Sequence, residues 1–144
     1  INALIDDCLL LLKPLFKKHQ IKIDTHFQED INKCTVDINE TKRVIINLLL
    51  NSIEAIRQNG KIKLRTSMND SVVEINISDN GIGIDEKYLD NIFDPYFTTK
   101  KKGSGIGLAL SRRIIEQQGG SIKIESRLGK GTAVIILFPA RTAP

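Results

Sequence analysis

Asn47 and Asn51 lie four residues apart in the stretch "NLLLN", one turn of a helix if the stretch is helical. Asparagine is a poor helix former, so a pair inside an apolar run gives up helix stability for something else. Two readings fit: an ordinary solvated stripe, or two amide oxygens facing a cation or ligand. Neutral oxygens suit Mg2+, which keeps several waters and is held mainly through substrate phosphates. Asp79 is a second polar group in an apolar position. By strand parity it shares a face with Val73, Ile75 and Ile77, where a carboxylate must find donors or rise in pKa. It either caps the turn "DNGIGI" or sits at a pocket edge awaiting an amino group such as adenine N6. Thr132 is in phase with Val134, Ile136 and Phe138. Alone it is an ordinary strand former, so any role comes from its company.

Two glycine clusters complete the set. "DNGIGI" carries Gly81 and Gly83; "GSGIGL" carries Gly103, Gly105 and Gly107, just after Lys100, Lys101 and Lys102. The second cluster opens an expected helix, where unpaired N–H groups and the helix dipole favour an anion. Bare backbone there lets phosphates approach the amides. A dinucleotide-binding reading fails on context, because no buried parallel strand precedes the cluster. A Walker A loop would need G-K-[ST] after its glycines.

These residues need elements to hold them. Apolar spacing predicts a helix over 2–19, stepped or kinked at Pro14, a long helix over 40–58 ended by Asn59-Gly60, a short helix near 85–92, and a helix over 106–118 closed by Gly119-Gly120. Alternation predicts strands at 21–27, 33–38, 61–67, 71–79, 121–127 and 131–138. Glu40, Arg43, Asn47, Asn51, Glu54 and Gln58 form one polar stripe along the long helix. The strands have one wet and one apolar face, so the expected fold is an α/β (α+β) two-layer sandwich: a mixed, mostly antiparallel sheet covered on one face by helices.

The 144 residues suit a single domain spanning 1–144. A net charge of +4 and seven aromatics, none of them Trp, give little support for a nucleic-acid binder. The apolar run "CLLLL" is broken by Lys13 and Pro14, too short to span a bilayer, and no signal peptide is visible. Cys8 and Cys34 lack metal-like spacing and read as free thiols, which suits a cytoplasmic compartment. The chain opens at Ile1 without a methionine, which suggests a fragment of something longer.

In this order the motifs resemble the ATP-binding catalytic domain of sensor histidine kinases, in the superfamily that also holds DNA gyrase, MutL and heat-shock chaperone ATPases. "NLLLNSIEA" resembles the N box, "DNGIGI" the G1 box, "FDPYFTTK" the F box and "GSGIGLAL" the G2 box. The resemblance runs from about residue 3 to 138 and implies a Bergerat-type fold binding ATP and Mg2+. It implies Asn51 as the Mg2+ ligand and Asn47 as its phosphate- or metal-shell partner. Asp79 would accept from adenine N6, supported by Thr132, with Gly83 leaving room for the base. Ala55, Gly81, Ile84, Ile92, Phe93 and Leu108 would line the cleft. Gly105, Ile106, Gly107 and Leu108 would present backbone amides to the phosphates, with Ser104 also among the nucleotide-binding residues. The F box would hinge a mobile lid over about 94–106, with Lys100 as the phosphate contact. Glu54 departs from the basic residue many histidine kinases carry there, so cationic help would come from Arg43, Arg57 or the lid. Gyrase-like members carry a catalytic glutamate where this chain has Asn47, which favours transfer over hydrolysis.

His19 precedes Gln20 and His26 precedes Phe27, unlike the acceptor motif of the family, so both read as surface residues. The implied reaction is γ-phosphoryl transfer to a histidine on a separate dimerisation and phosphoacceptor domain of the parent protein, with a response regulator downstream. Nucleic acid and direct membrane contact are not expected of this segment. The rival readings are a serine kinase of anti-sigma-factor type and a nucleotide-binding module without transfer, with a gyrase-type ATPase last.

Overall fold

The computed structural model describes residues 1–31, 34–69, 71–99, 105 and 107–141. Its element order is α1 (Asn2–Lys18), β1 (Lys22–Phe27), α2 (Ile38–Ala55), β2 (Lys61–Met68), β3 (Val72–Asp79), a short 3-10 segment (Glu86–Asn91), α3 (Gly107–Gln117), β4 (Ser121–Arg127) and β5 (Gly131–Pro139). The strands form one mixed sheet in the order β1-β2-β3-β5-β4. Only β1 and β2 run parallel; the other neighbours are antiparallel.

Period-two alternation puts Ile62, Leu64 and Thr66 of β2, Val73, Ile75 and Ile77 of β3, and Val134, Ile136 and Phe138 of β5 on the buried face. The helices bury Leu4, Ile5, Cys8, Leu12 and Phe16 of α1, Val44, Ile45, Leu48, Leu49 and Ile53 of α2, and Ile114 and Ile115 of α3, forming one core with that face. Burying each such aliphatic side chain is worth about 1.5–3 kcal/mol. On the opposite sheet face Ile135 is also buried, flanked in register by Asn76 and Lys123.

Helix α1 runs unbroken through Pro14. Proline removes the donor for the Leu10 carbonyl, but Leu10 and Pro14 lie on the exposed side of the helix, where water can take its place. Helix α3 closes as expected: Gly119 has φ +77°, and the amides of Gly119 and Gly120 bond the carbonyls of Glu116 and Ile115, the paired bonds of a Schellman motif.

Two expectations fail. Residues 34–37 join no sheet, and 32–33 lie outside the described residues. Asp37 is instead the N-cap of α2, its carboxylate accepting the Glu40 amide at 2.8 Å, and α2 begins at Ile38. Capping outweighs the alternation of "KCTVDI" because it satisfies an otherwise orphan helix donor. Asp37→Ala is expected to cost about 1 kcal/mol, readable as a lower urea midpoint with unchanged slope. Helix α2 also ends early, at Ala55. Ile56 is extended, and the Ala55 carbonyl accepts the Ile82 amide at 2.9 Å. Gln58 therefore lies beyond the helix and does not continue its polar stripe.

Candidate functional site

Apart from Thr66, whose hydroxyl donates to Asn2 of α1, the buried side chains of the helix-covered face are apolar until its last row. Register aligns Leu64, Ile77, Val134 and Ile124 across four strands, then Ile62, Asp79, Thr132 and Ser126. Three neighbouring polar side chains thus stand at one end of an apolar layer. The expected shared face of Asp79 and Thr132 is observed: they are direct cross-strand partners.

Asp79 is held from two sides. Its Oδ2 accepts the Ser52 hydroxyl at 2.8 Å and its Oδ1 accepts the Gly81 amide at 2.8 Å. The turn-capping reading of Asp79 is observed in the bond from the Gly81 amide. Burial pushes its carboxyl above the ordinary value near 3.8, while hydrogen bonds from Gly81, Ser52 and the Thr132 backbone pull it partly back. Because the folded value is raised, the folded state holds the proton more tightly than the unfolded chain. Stability from this group therefore falls as pH rises from about 3.8 through the folded value. Asp79→Asn removes the charge, keeps an oxygen for Gly81, and lets the Ser52 hydroxyl rotate to accept. The variant is expected to melt no lower than the parent protein at neutral pH, with any advantage vanishing below about pH 3.8. A lower melting temperature at neutral pH would contradict that account.

Helix α2 runs along the site, each turn touching a different wall. Asn47 donates through Nδ2 to the Ser111 hydroxyl of α3 at 3.1 Å. Gly107, the first residue of α3, packs so closely that a Cβ there would stand 2.7 Å from Asn47 Oδ1. Asn51 follows one turn later, half-buried, next to Ser52. Ala55 meets the turn at 80–84: a Cβ on Gly81 would stand 2.8 Å from both the Ala55 Cβ and its carbonyl oxygen. Among the described residues no cluster of three or more His, Cys, Asp or Glu could hold a metal alone. The donor set around Asn47 and Asn51 is carboxamide oxygen, which fits an ion carried largely by phosphates and water.

The glycines have packing reasons too. Gly83 has φ +73°, and a Cβ would fall 2.1 Å from the Arg127 carbonyl oxygen. Gly105 has φ +71°, a Cβ there would meet the carbonyls of Tyr96 and Phe97, and its own carbonyl accepts the Tyr96 amide at 3.0 Å. The F-box turn and the start of the G2 box are therefore in backbone contact, with Tyr96 itself at φ +66°. Ile92 is buried, while Phe93 and Leu108 pack half-buried against the core. Arg112 of α3 lies 5.3 Å from the Phe93 ring centre. The Ile84 amide donates to Ser126 Oγ at 2.8 Å.

Lys100, Ser104 and Ile106, with Lys101, Lys102 and Gly103, lie outside the described residues. Of the alternative cations, Arg43 pairs with Glu40 at 3.2 Å and Arg57 is exposed. His19 and His26 are exposed, as expected, and Cys8 and Cys34 are free thiols. Among the described residues no helix is long and apolar enough to cross a membrane.

Sequence reasoning missed Ser52, Ser111 and Ser126. Ser52 and Ser126 had a readable signal. Ser52 interrupts the buried face of α2, and Ser126 continues the apolar parity of Ile122 and Ile124, the same argument that singled out Asp79.

Residues 36–142 match the family described as histidine kinase-, DNA gyrase B-, and HSP90-like ATPase. The signal transduction histidine-protein kinase AtoS of Escherichia coli K12 is 36% identical over 140 residues, covering 96% of this chain and 23% of that protein. Sporulation kinase A of Bacillus subtilis is 35% identical over 141 residues, covering 98% and 23%. The chain thus spans about a quarter of the length of these relatives. Among solved structures, the catalytic domain of histidine kinase ThkA superposes with a TM-score of 0.86 at 34% identity, covering 98% of this chain and 93% of that one. With its mixed sheet, its box motifs and these likenesses, the chain belongs to the histidine kinase-, DNA gyrase B- and HSP90-like ATPase family, among the catalytic domains of histidine kinases.

Proposed function

We propose that this domain binds Mg-ATP and presents the γ-phosphoryl group to a histidine on a separate phosphoacceptor domain of its parent protein, in cytoplasmic two-component signalling. The observation that carries the reading is the polar end row, with Asp79 recessed among apolar residues and buttressed by Ser52 and Gly81. An ionised carboxylate held there is an acceptor for an exocyclic amino group. Thr132 stands beside it.

In this reading Asn51 ligates Mg2+, and Asn47, fixed by Ser111, completes the polar wall toward the phosphates. A bound magnesium ion would neutralise charge on the phosphate oxygens. The residues of this chain supply placement: Asp79 fixes the base, α2 fixes the carboxamides, and the α3 N-terminus offers amides to anionic oxygens. Lys100, Ser104 and Ile106 are proposed as further phosphate-side contacts, within a lid over about 94–106. Asn47 carries no carboxylate to activate water, which favours transfer over hydrolysis. One related protein, ThkA, was crystallised with the response regulator TrrA; a response regulator is the proposed downstream partner here.

The test is magnesium-dependent labelling of a purified phosphoacceptor domain from a related kinase, using γ-labelled ATP. Acid-labile label on histidine is the expected product. Acid-stable label, or none, would reject the proposal. Asp79→Asn is expected to weaken ATP binding by roughly 1–3 kcal/mol by calorimetry, and unchanged affinity would remove Asp79 from the base site.

A further inference from the structure

The sheet face away from the helices carries its charge unevenly. On that face β2 presents Lys61, Lys63 and Arg65, and β1 presents Lys22, Asp24 and His26. Register sets Lys22 opposite Lys61, Asp24 opposite Lys63 and His26 opposite Arg65. Like charges side by side on a sheet repel. The one carboxylate of this array is already shared: Asp24 Oδ2 lies 3.7 Å from Lys61 Nζ, and Asp24 Oδ1 lies 3.5 Å from His26 Nδ1. Among the described residues Lys22, Lys63 and Arg65 form no ion pair, although Lys63 is half-buried.

The rest of the face is different. β3 adds Glu74, Asn76 and Ser78, and β5 adds Ala133, Ile135 and Leu137. On the far edge strand β4, Lys123 pairs with Glu125 at 3.6 Å and Arg127 stands at the end. Unpaired positive charge is thus concentrated on the β1–β2 half.

We propose that this half of the open face docks an acidic helix of a partner protein, laid along β2 with carboxylates one turn apart over Lys61, Lys63 and Arg65. The spacing suits such a helix. Alternate residues of a strand stand about 6.6 Å apart, and residues four apart on a helix rise about 6 Å, so three carboxylates follow the row of three cations. A lipid bilayer is a poorer fit, because its uniform negative charge would also meet Asp24, Glu74 and Glu125. Nucleic acid would find no Phe, Tyr or Trp on this face to stack on. Asp79 and Thr132 face the helices on the other side of the sheet, so this docking is independent of the nucleotide reading.

The experiment follows amide chemical shifts of the domain at low salt during titration with an alanine-based helical peptide carrying Glu at i, i+4 and i+8. A control peptide of the same composition spreads its three Glu around the helix. Shifts are expected to cluster on β1 and β2, and the striped peptide should bind more tightly than the control. Lys63→Gln combined with Arg65→Gln keeps much of each stem and removes both charges. It should weaken striped-peptide binding by about three- to tenfold, the scale of two exposed ion pairs, with ATP affinity and melting temperature unchanged. Several results would overturn the proposal: no binding, equal binding of both peptides, shifts centred on Lys13, Lys17 and Lys18 of α1, or indifference to the double substitution. Vesicles of phosphatidylcholine and phosphatidylserine form the last arm. Binding to them that the double substitution abolishes would assign the surface to a membrane and overturn the proposal too.

Discussion

Asn51→Ala is expected to reduce histidine labelling by about 100-fold or more, the scale on which removing one electrostatic stabiliser of a transition state acts, while the protein remains folded. Asn51 stands one turn beyond Asn47, whose carboxamide is tied to Ser111, and directly before Ser52, whose hydroxyl is tied to Asp79. Both neighbours on α2 are thus engaged with the walls of the cleft, and Asn51 lies between them on the same helix. Alanine is the better helix former by about half a kcal/mol, so the substitution does not weaken α2 through propensity. Melting temperature, labelling rate and magnesium dependence together separate the metal role from a packing role. Labelling at the parent rate with ordinary magnesium dependence would remove Asn51 from the metal assignment.

Gly83→Ala is expected to act on the fold first. Its φ of +73° disfavours any side chain, and a Cβ would press within 2.1 Å of the Arg127 carbonyl oxygen and 3.1 Å of the Leu128 Cα. Those atoms are backbone of the β4–β5 hairpin and cannot swing aside as a flexible side chain would. Relief requires parting the turn at 80–84 from the hairpin, which breaks the bonds Gly129 N–H to Ile82 O and Ile84 N–H to Ser126. We expect a loss of about 3 kcal/mol or more, equivalent to a melting temperature lower by roughly 10 °C. Nucleotide affinity should fall with it. A Gly83→Ala protein that melts like the parent and binds ATP weakly would mean that the glycine serves the base alone.

Legibility of the sequence differed by the range of the interaction. The four long strands at 61–67, 71–79, 121–127 and 131–138 were readable because alternation is local and each strand packs one apolar face on helices. Parity alone put Asp79 and Thr132 on the apolar faces of their strands; that they are register partners depends on β3 lying beside β5, which parity does not give. Asp37 shows local signals in conflict: "DINE" is a capping box in form, with Glu40 three residues on, yet the alternation of the preceding residues suggested a strand. The end of α2 was unreadable for another reason. Asn59-Gly60 is the local stop signal, whereas the actual terminator is the amide of Ile82, 27 residues beyond Ala55. The serines were missed because a buried hydroxyl resembles any small residue until its partner is placed.

Because the carbonyl closing α2 is capped by the turn that also frames the Asp79 carboxylate, the helix end and that loop share an atom-level clasp. Opening that loop would fray the last turn of the helix, and anything gripping the loop would tighten the helix. Under the proposed function, amide protection at the end of α2 is expected to rise when nucleotide fills the cleft, a readout that hydrogen exchange gives without touching the ligand.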